Sequence, residues 1–118
     1  MTPQNEIKNL EKTIAIQFPN LYVSFLEKIP QGEVYDITNT GICFYSCSDL
    51  IERNTTYEIR EYDSDYFMIG QDGDKGYFIN AKDPTDETIY SNDLGAIGSL
   101  AMEKEFGSIF ELVEKYKC

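Results

Sequence analysis

The sequence predicts an α+β fold in which a central, largely antiparallel sheet is flanked by N-terminal helices and a C-terminal helix. Apolar residues recur at helical spacing near both ends of the chain, whereas the middle holds short runs of aromatic and β-branched residues. The connections between these runs are too short for the helical crossovers that parallel strands need. We therefore expect helices, then an antiparallel meander, then a closing helix, in one domain over residues 1–118.

Two helices are expected at the N-terminal end. The first covers residues 2–15, with Thr2 as a candidate N-cap and with Ile7, Leu10 and Ile14 on one face. The second begins near Pro19. Its apolar residues have the i, i+3, i+4, i+7 spacing of one buried stripe: Tyr22, Phe25, Leu26 and Ile29.

Strands are expected in the middle of the chain, at residues 33–37, 42–45, 66–69, 77–79 and 88–91. Ser46 and Asp49 are spaced as an approximate capping box, which predicts a short helix through Leu50 and Ile51. Residues 54–65 are polar and favour no single element. The closing helix is predicted from a second stripe at helical spacing: Phe106, Ile109, Phe110 and Val113.

The segment IGQDGDKGYFI, residues 69–79, is the most distinctive local pattern. Asp72 and Asp74 fit positions 1 and 3 of a calcium loop, but Gly76 and Tyr77 then occupy positions 5 and 6, where an acid or amide and a glycine are needed. The glycines lead into a strand and not into a helix, so they fit no phosphate-binding loop. A hairpin explains the segment best, with Gly73 and Gly76 supplying positive φ angles.

The composition lowers the expectation of an enzyme. Histidine, the commonest general base and a frequent zinc ligand, is absent from the sequence. The three cysteines, Cys43, Cys47 and Cys118, form no C-x-x-C pair and are odd in number, which favours reduced thiols in the cytoplasm. We expect no catalytic residue, no metal site and no cofactor. A small hydrolase that uses a pair of carboxylates stays open as an alternative.

The charge indicates the kind of partner. Twenty-one acidic residues face ten basic ones, which gives a net charge of −11. Nucleic acid and anionic membranes are therefore poor direct ligands, no apolar run is long enough to span a membrane, and a basic protein is the best match. Residues 58–93 hold ten acids and three bases. We expect the partner-binding residues among them to be Asp63, Asp65, Tyr66, Asp72, Asp74, Asp83, Asp86 and Glu87.

Five segments together resemble the SUKH superfamily in its Smi/Knr-like branch. They are F-P-x-x-Y-x-x-F-L from Phe18, FYSCSDLIERN at 44–54, YFMIGQDGDKGYFIN at 66–80, TIYSNDLG at 88–95, and the helix that closes the chain. QGEVYD at 31–36 is shorter than the loop the family often has there, and Phe-Gly-Ser-Ile-Phe at 106–110 departs from the family's usual Ser-Phe-acid-acid-Phe.

The resemblance implies a single Smi/Knr-like domain over the whole chain and a function without catalysis. Many bacterial members of the superfamily are immunity proteins that bind and block polymorphic or contact-dependent toxins, often nucleases, and other members regulate or act as scaffolds. We therefore expect an immunity protein that neutralises a basic, nuclease-like toxin. The alternative is a regulatory or scaffold module with an endogenous protein partner. The sequence makes no prediction of the oligomeric state.

Overall fold

The computed structural model describes residues 3–116, and it confirms the α+β class. The helices are α1 (Pro3–Ile14), α2 (Asn20–Leu26), α3 (Leu50–Thr56), α4 (Ile59–Tyr62) and α5 (Ile109–Tyr116), with a 3₁₀ turn at Cys47–Asp49. The strands are β1 (Val34–Asp36), β2 (Ile42–Tyr45), β3 (Tyr66–Asp72), β4 (Lys75–Asn80), β5 (Ile89–Asp93) and β6 (Glu103–Phe106). The predictions for Thr2 and Cys118 lie outside the described residues.

The six strands form one antiparallel meander in the order β1-β2-β3-β4-β5-β6. Each strand pairs with the strand that follows it in the chain. The connection between β2 and β3 contains the 3₁₀ turn, α3 and α4, whereas the other connections are turns or loops. The centre of the sheet, β3 and β4, is buried along most of its length. The two edges are β1 and β6.

A cluster of aromatic side chains joins the N-terminal helices to the sheet. Phe44 pairs with Gly70, and Gly70 pairs with Tyr77, so the Phe44 and Tyr77 side chains lie on the same face. Phe25 of α2 contacts Phe44 edge to face at 5.5 Å, and Phe18 contacts Phe67 at 5.6 Å. These residues are almost completely buried, which explains why the helical stripes predicted from the sequence face the sheet.

Asn54 of α3 takes the place of a strand beside β3. The β2 strand pairs with β3 only as far as Gly70, which leaves the backbone of Met68 without a strand on that side. The Asn54 side chain accepts a hydrogen bond from Met68 N at 2.8 Å and donates one to Met68 O at 2.9 Å. It also donates to Leu50 O at 2.8 Å, so a buried amide satisfies backbone groups of two elements.

The predicted closing helix was wrong at its start. Phe106 lies in β6, a strand that the sequence did not predict, and α5 begins only at Ile109. Ser108 Oγ accepts a hydrogen bond from Glu111 N at 3.3 Å, which satisfies a free donor of the first turn. The serine and the glycine before it therefore separate the strand from the helix.

Three other predictions need correction. The Ser46–Asp49 pair forms no side-chain cap, because Ser46 Oγ donates to Asp49 Oδ2 at 3.3 Å, while Asp49 N donates to the Ser46 backbone oxygen and not to Oγ. The second helix ends at Leu26, and the buried Ile29 lies in the turn that follows. Polar residues 54–65, which favoured no element, contain the end of α3 and the short helix α4.

Candidate protein-binding surface

The hairpin predicted at residues 69–79 is present, with Asp72 paired to Lys75 and two residues between them. Gly73 has a φ of +60° at the first central position of the turn, which is where a type II′ turn requires glycine. Gly76 does not have positive φ, contrary to the prediction, and lies inside β4. A Cβ atom there would stand 2.8 Å from Leu94 Cδ2 and 2.9 Å from the Phe78 ring, so Gly76 is required by close packing.

The hairpin end of the sheet gathers four aspartates. We use this name for Asp36, Asp72, Asp74 and Asp93, which lie where β1, β3, β4 and β5 meet their turns. Within residues 3–116, the carboxylates of Asp72 and Asp74 accept no hydrogen bond and form no ion pair. Both residues are exposed. A partner can therefore pair with these two carboxylates without breaking a bond inside the protein.

Charge of both signs borders the hairpin end. Lys75 Nζ lies 2.6 Å from Glu105 Oε1, across β5. Partial burial, the largest single influence, would lower the pKa of Lys75, but the hydrogen bond to Glu105 and the neighbouring negative charge together outweigh it, and the pKa is raised. The same hydrogen bond lowers the pKa of Glu105. The positive charge of Lys75 is therefore neutralised by Glu105 of the same chain, and it does not cancel the charge of the aspartates beside it.

The opposite end of the sheet holds the other six predicted residues. We call this the loop end: Asp63, Asp65, Tyr66, Asp83, Asp86 and Glu87. Strand β3 separates the two ends, and at ~3.3 Å per residue it is roughly 20 Å long. The structure thus brings the eight predicted residues together as two groups and not as one continuous patch.

Asp86 organises the loop between β4 and β5. Its Oδ2 accepts hydrogen bonds from Tyr90 Oη at 2.5 Å and Asn80 Nδ2 at 3.2 Å, and its Oδ1 accepts one from Thr88 N at 3.0 Å. Partial burial alone would raise the pKa of Asp86, but these hydrogen bonds outweigh it and lower the pKa to about 2. Burial, followed by the bond to Asp86, raises the pKa of Tyr90 to about 12.

Most other residues of the loop end also have partners inside the protein. Asp83 Oδ1 accepts from Thr85 N at 2.9 Å, which closes a local turn. Glu87 Oε2 accepts from Leu21 N at 3.1 Å and so holds the loop to the first turn of α2. The Tyr66 ring packs edge to face against Tyr90 at 5.1 Å. Asp63 and Asp65 are the least engaged: Asp63 Oδ1 accepts only from Asp65 N, at 3.4 Å.

Two features of the surface were missed from the sequence. Asp36 was not among the predicted residues, although the register of β1 and β2 places it at the hairpin end. Tyr62 is 60% exposed at the end of α4, and Gly98 packs against its backbone. No sequence signal could identify either, because the neighbours of both come from distant parts of the chain.

The titrating groups give little indication of acid–base chemistry. Among residues 3–116, the carboxyl groups with shifted pKa values are Glu52, Asp86 and Glu105, and each pKa is shifted downward, whereas a general acid needs a raised pKa. Burial raises the pKa of Cys43, and burial together with Glu6 and Glu11 raises that of Cys47 to about 11, so both thiols are protonated at neutral pH. Residues 3–116 contain no cluster of three or more potential metal ligands.

A groove with a volume of about 670 Å³ lies between α1 and α2. Lys8, Lys12 and Glu11 contribute to its lining. Glu11 Oε2 accepts a hydrogen bond from Phe18 N at 2.7 Å, so this carboxylate holds the connection between the two helices. None of the helices in the described part of the chain is long and apolar enough to cross a membrane.

Comparison with known proteins agrees with the fold. A sequence model described as the SMI1 / KNR4 family (SUKH-1) matches residues 1–113. The chain is also 29% identical over 111 residues to the uncharacterized protein YnaB of Bacillus subtilis (strain 168). The aligned region covers 94% of this chain and 72% of that protein.

Proposed function

The chain belongs to the SMI1 / KNR4 family (SUKH-1), and from that membership we propose that it is a non-catalytic immunity protein that neutralises a bacterial toxin. The toxin is a basic protein of the polymorphic or contact-dependent kind, and a nuclease with a positive substrate cleft fits best. Neutralisation occurs by direct binding: the acidic surface of this protein covers the basic surface on which the toxin depends. The net charge of −11 supports this arrangement.

The difference between the two ends of the sheet carries the proposal about the binding surface. At the hairpin end, Asp72 and Asp74 are exposed and have no partner among the described residues, so their charge is available to a toxin. At the loop end, Asp83, Asp86 and Glu87 already hold turns in place. We therefore assign the main contact to the hairpin end. Asp63 and Asp65 contribute longer-range charge.

The direct test is co-expression with the toxin candidate encoded beside this chain. Cells that express the candidate alone should stop growing, and co-expression should restore growth. The two purified proteins should form a complex in a pull-down. A candidate that stays toxic in the presence of this chain, with no complex formed, would count against the proposal. Capture of an endogenous protein in the absence of a neighbouring toxin would favour the regulatory or scaffold alternative instead.

The electrostatic part predicts a change in association rate. The double substitution Asp72→Asn/Asp74→Asn should slow association with the toxin about tenfold at low salt, because steering by charge raises association rates by roughly 10- to 1,000-fold. The dissociation rate should change less, and the difference should shrink as salt screens the charges. Stopped-flow mixing at several salt concentrations measures this effect.

A matched control has the same change of charge at the other end of the sheet. The double substitution Asp63→Asn/Asp65→Asn removes two negative charges from the loop end, roughly one strand length away. It should slow association clearly less than the substitutions at the hairpin end. If the two variants associate equally slowly, the toxin senses only net charge, and the assignment of the hairpin end is wrong. Unchanged melting temperatures would show that both variants are folded.

A further inference from the structure

The edge strand β1 is open and partly apolar. All three of its residues are exposed, with Val34 at 46% and Tyr35 at 37% of full exposure. The Tyr35 ring packs edge to face against Phe25 at 5.0 Å, which anchors the strand to the helices beneath it. β1 is thus held on one side by β2 and α2, while no strand among the described residues pairs with its outer edge.

The register shows which backbone groups face outward. Ile37 N donates to Ile42 O at 3.1 Å, which places these two opposite residues at a hydrogen-bonded position of the antiparallel ladder. Such pairs alternate, so Tyr35 is also bonded to Phe44, and the N–H and C=O groups of Val34 and Asp36 point away from β2. These four groups form a short template on which another extended segment can pair.

The opposite edge strand, β6, is not open and apolar in this way. Three of the four residues of β6 are charged, Glu103, Lys104 and Glu105, and its pairing with β5 is irregular between Ile89 and Tyr90. Charged side chains and irregular pairing are the usual protections of a sheet edge against unwanted pairing. Both edges are short, but the apolar Val34 and Tyr35 leave β1 the less protected of the two.

The charge beside β1 decides what can pair with it. Glu33 precedes the strand, Asp36 ends it, and the Asp72 carboxylate lies against Gly41 of the next turn, where a Cβ atom would be within 2.5 Å of Asp72 Oδ1. An extended segment that carries lysine or arginine would meet opposite charge along this edge. A second copy of the chain would bring like charges together and is disfavoured.

We propose that β1 binds an extended, basic segment of the protein partner as a seventh strand of the sheet. This inference rests on the proposed function, and it deepens it by naming the part of the partner that is recognised. Backbone hydrogen bonds to Val34 and Asp36 supply the pairing, and contacts with the acidic hairpin end select for lysine and arginine. The Tyr35 and Val34 side chains offer apolar contact on the two faces of the added strand.

The test uses three blocked hexapeptides and amide hydrogen exchange measured by NMR. The first peptide alternates lysine and valine, the second is the same with every backbone nitrogen methylated, and the third replaces lysine by glutamate. With the first peptide in millimolar excess, exchange at Val34 and Asp36 should slow at least tenfold. The other two peptides should have little effect, because one lacks backbone donors and the other carries the wrong charge.

Two substitutions separate backbone pairing from side-chain contact. Val34→Pro removes an outward donor but leaves the bonds between Tyr35 and β2, so it should weaken binding of the lysine peptide about tenfold or more. Val34→Thr keeps that donor and should bind nearly as well as the native chain. Asp36→Lys provides an independent check, because it keeps the backbone but repels a basic peptide. A melting curve of each variant confirms that it folds.

Three outcomes would overturn the inference. They are no protection of Val34 and Asp36 by the lysine peptide, equal binding to Val34→Pro, or protection of both amides without peptide as the protein dimerises. Different results would contradict the inference and the proposed function. If Val34→Pro still rescues cells from the toxin, immunity stands without pairing at the edge. If the native chain binds the peptide but protects cells against no toxin, strand pairing at β1 is supported and the proposed immunity function is wrong.

Discussion

Asp86 and Asp74 are both aspartates in connections between strands, but their carboxylates have different surroundings. The Asp86 carboxylate accepts three hydrogen bonds from Tyr90, Asn80 and Thr88, whereas the Asp74 carboxylate accepts none among residues 3–116. A carboxylate with that many donors is stabilised in its charged form. At the scale of single residues, partners and not residue type decide whether an acid supports the fold or is free to bind.

Asp86→Asn should destabilise the protein at neutral pH by about 1–2 kcal/mol, because hydrogen bonds to a charged group are lost and one asparagine oxygen cannot replace two carboxylate oxygens. Since the pKa of Asp86 is lowered to about 2, the unfolded chain binds the proton more tightly than the folded one. The stabilisation is complete above pH ~4 and is lost as the pH falls through about 2. Urea unfolding at pH 7, 4 and 2.5 would measure it.

The control for this prediction is Asp74→Asn, which makes the same chemical change at an exposed carboxylate without partners. It should leave the free energy of unfolding nearly unchanged at every pH. Equal destabilisation by the two substitutions, or a constant difference between Asp86→Asn and the native protein down to pH 2.5, would contradict the role assigned to Asp86.

At the scale of elements, α3 is joined to the sheet by one polar side chain in addition to apolar packing. Asn54 is only 4% exposed, and its amide bonds both backbone groups of Met68 as a neighbouring strand would. The chain thereby extends the edge of β3 beyond the point where β2 ends. An amide side chain suits this role, because it offers a donor and an acceptor side by side.

Asn54→Leu should cost about 2–4 kcal/mol of stability, because the buried N–H and C=O of Met68 would lose their partners. Thr55→Leu is the matched control, since it makes an apolar substitution at the next, exposed position of α3. Thermal unfolding should show a large decrease in melting temperature for the first variant and little change for the second. Similar melting temperatures for both variants would mean that the amide is not essential.

At the scale of the whole molecule, the excess of acids has two opposite consequences. The net charge of −11 attracts a basic partner over a distance, but it also makes the folded chain repel itself. Internal neutralisation is sparse: two ion pairs, Arg53–Glu52 and Lys75–Glu105, lie within residues 3–116. The fold therefore depends on its aromatic core to hold together a surface that is electrostatically unfavourable.

Added salt should stabilise the protein by screening this repulsion. We expect the melting temperature to rise by about 3 °C between low salt and roughly 0.5 M sodium chloride, a change of less than ~1 kcal/mol. The double variant Asp72→Asn/Asp74→Asn has two fewer negative charges and should show a smaller rise. A melting temperature that falls or stays constant with salt in the native protein would contradict this view of its charge.

The sequence predicted those elements whose signal is local. The β3–β4 hairpin, the order of the strands that it recognised and the buried stripes of α2 and α5 were all read from spacing and turn residues. Strand β6 was missed because Glu103, Lys104 and Glu105 have no strand-like alternation of polar and apolar residues. Its existence depends on pairing with β5, and pairing between strands is not encoded by either strand alone.

Some properties of the candidate site could likewise be predicted from the sequence, and others could not. The sequence by itself determined the charge, the absence of histidine, the α+β class and the acidic turns, because composition and short-range periodicity fix these properties. Only the tertiary structure decided which acids are free. It separated eight predicted residues into two ends of a sheet, gave Asp86 and Glu87 partners up to 66 residues away, and left the edge of β1 open. The physical reason is that hydrogen-bond satisfaction and edge exposure depend on neighbours that only folding brings together.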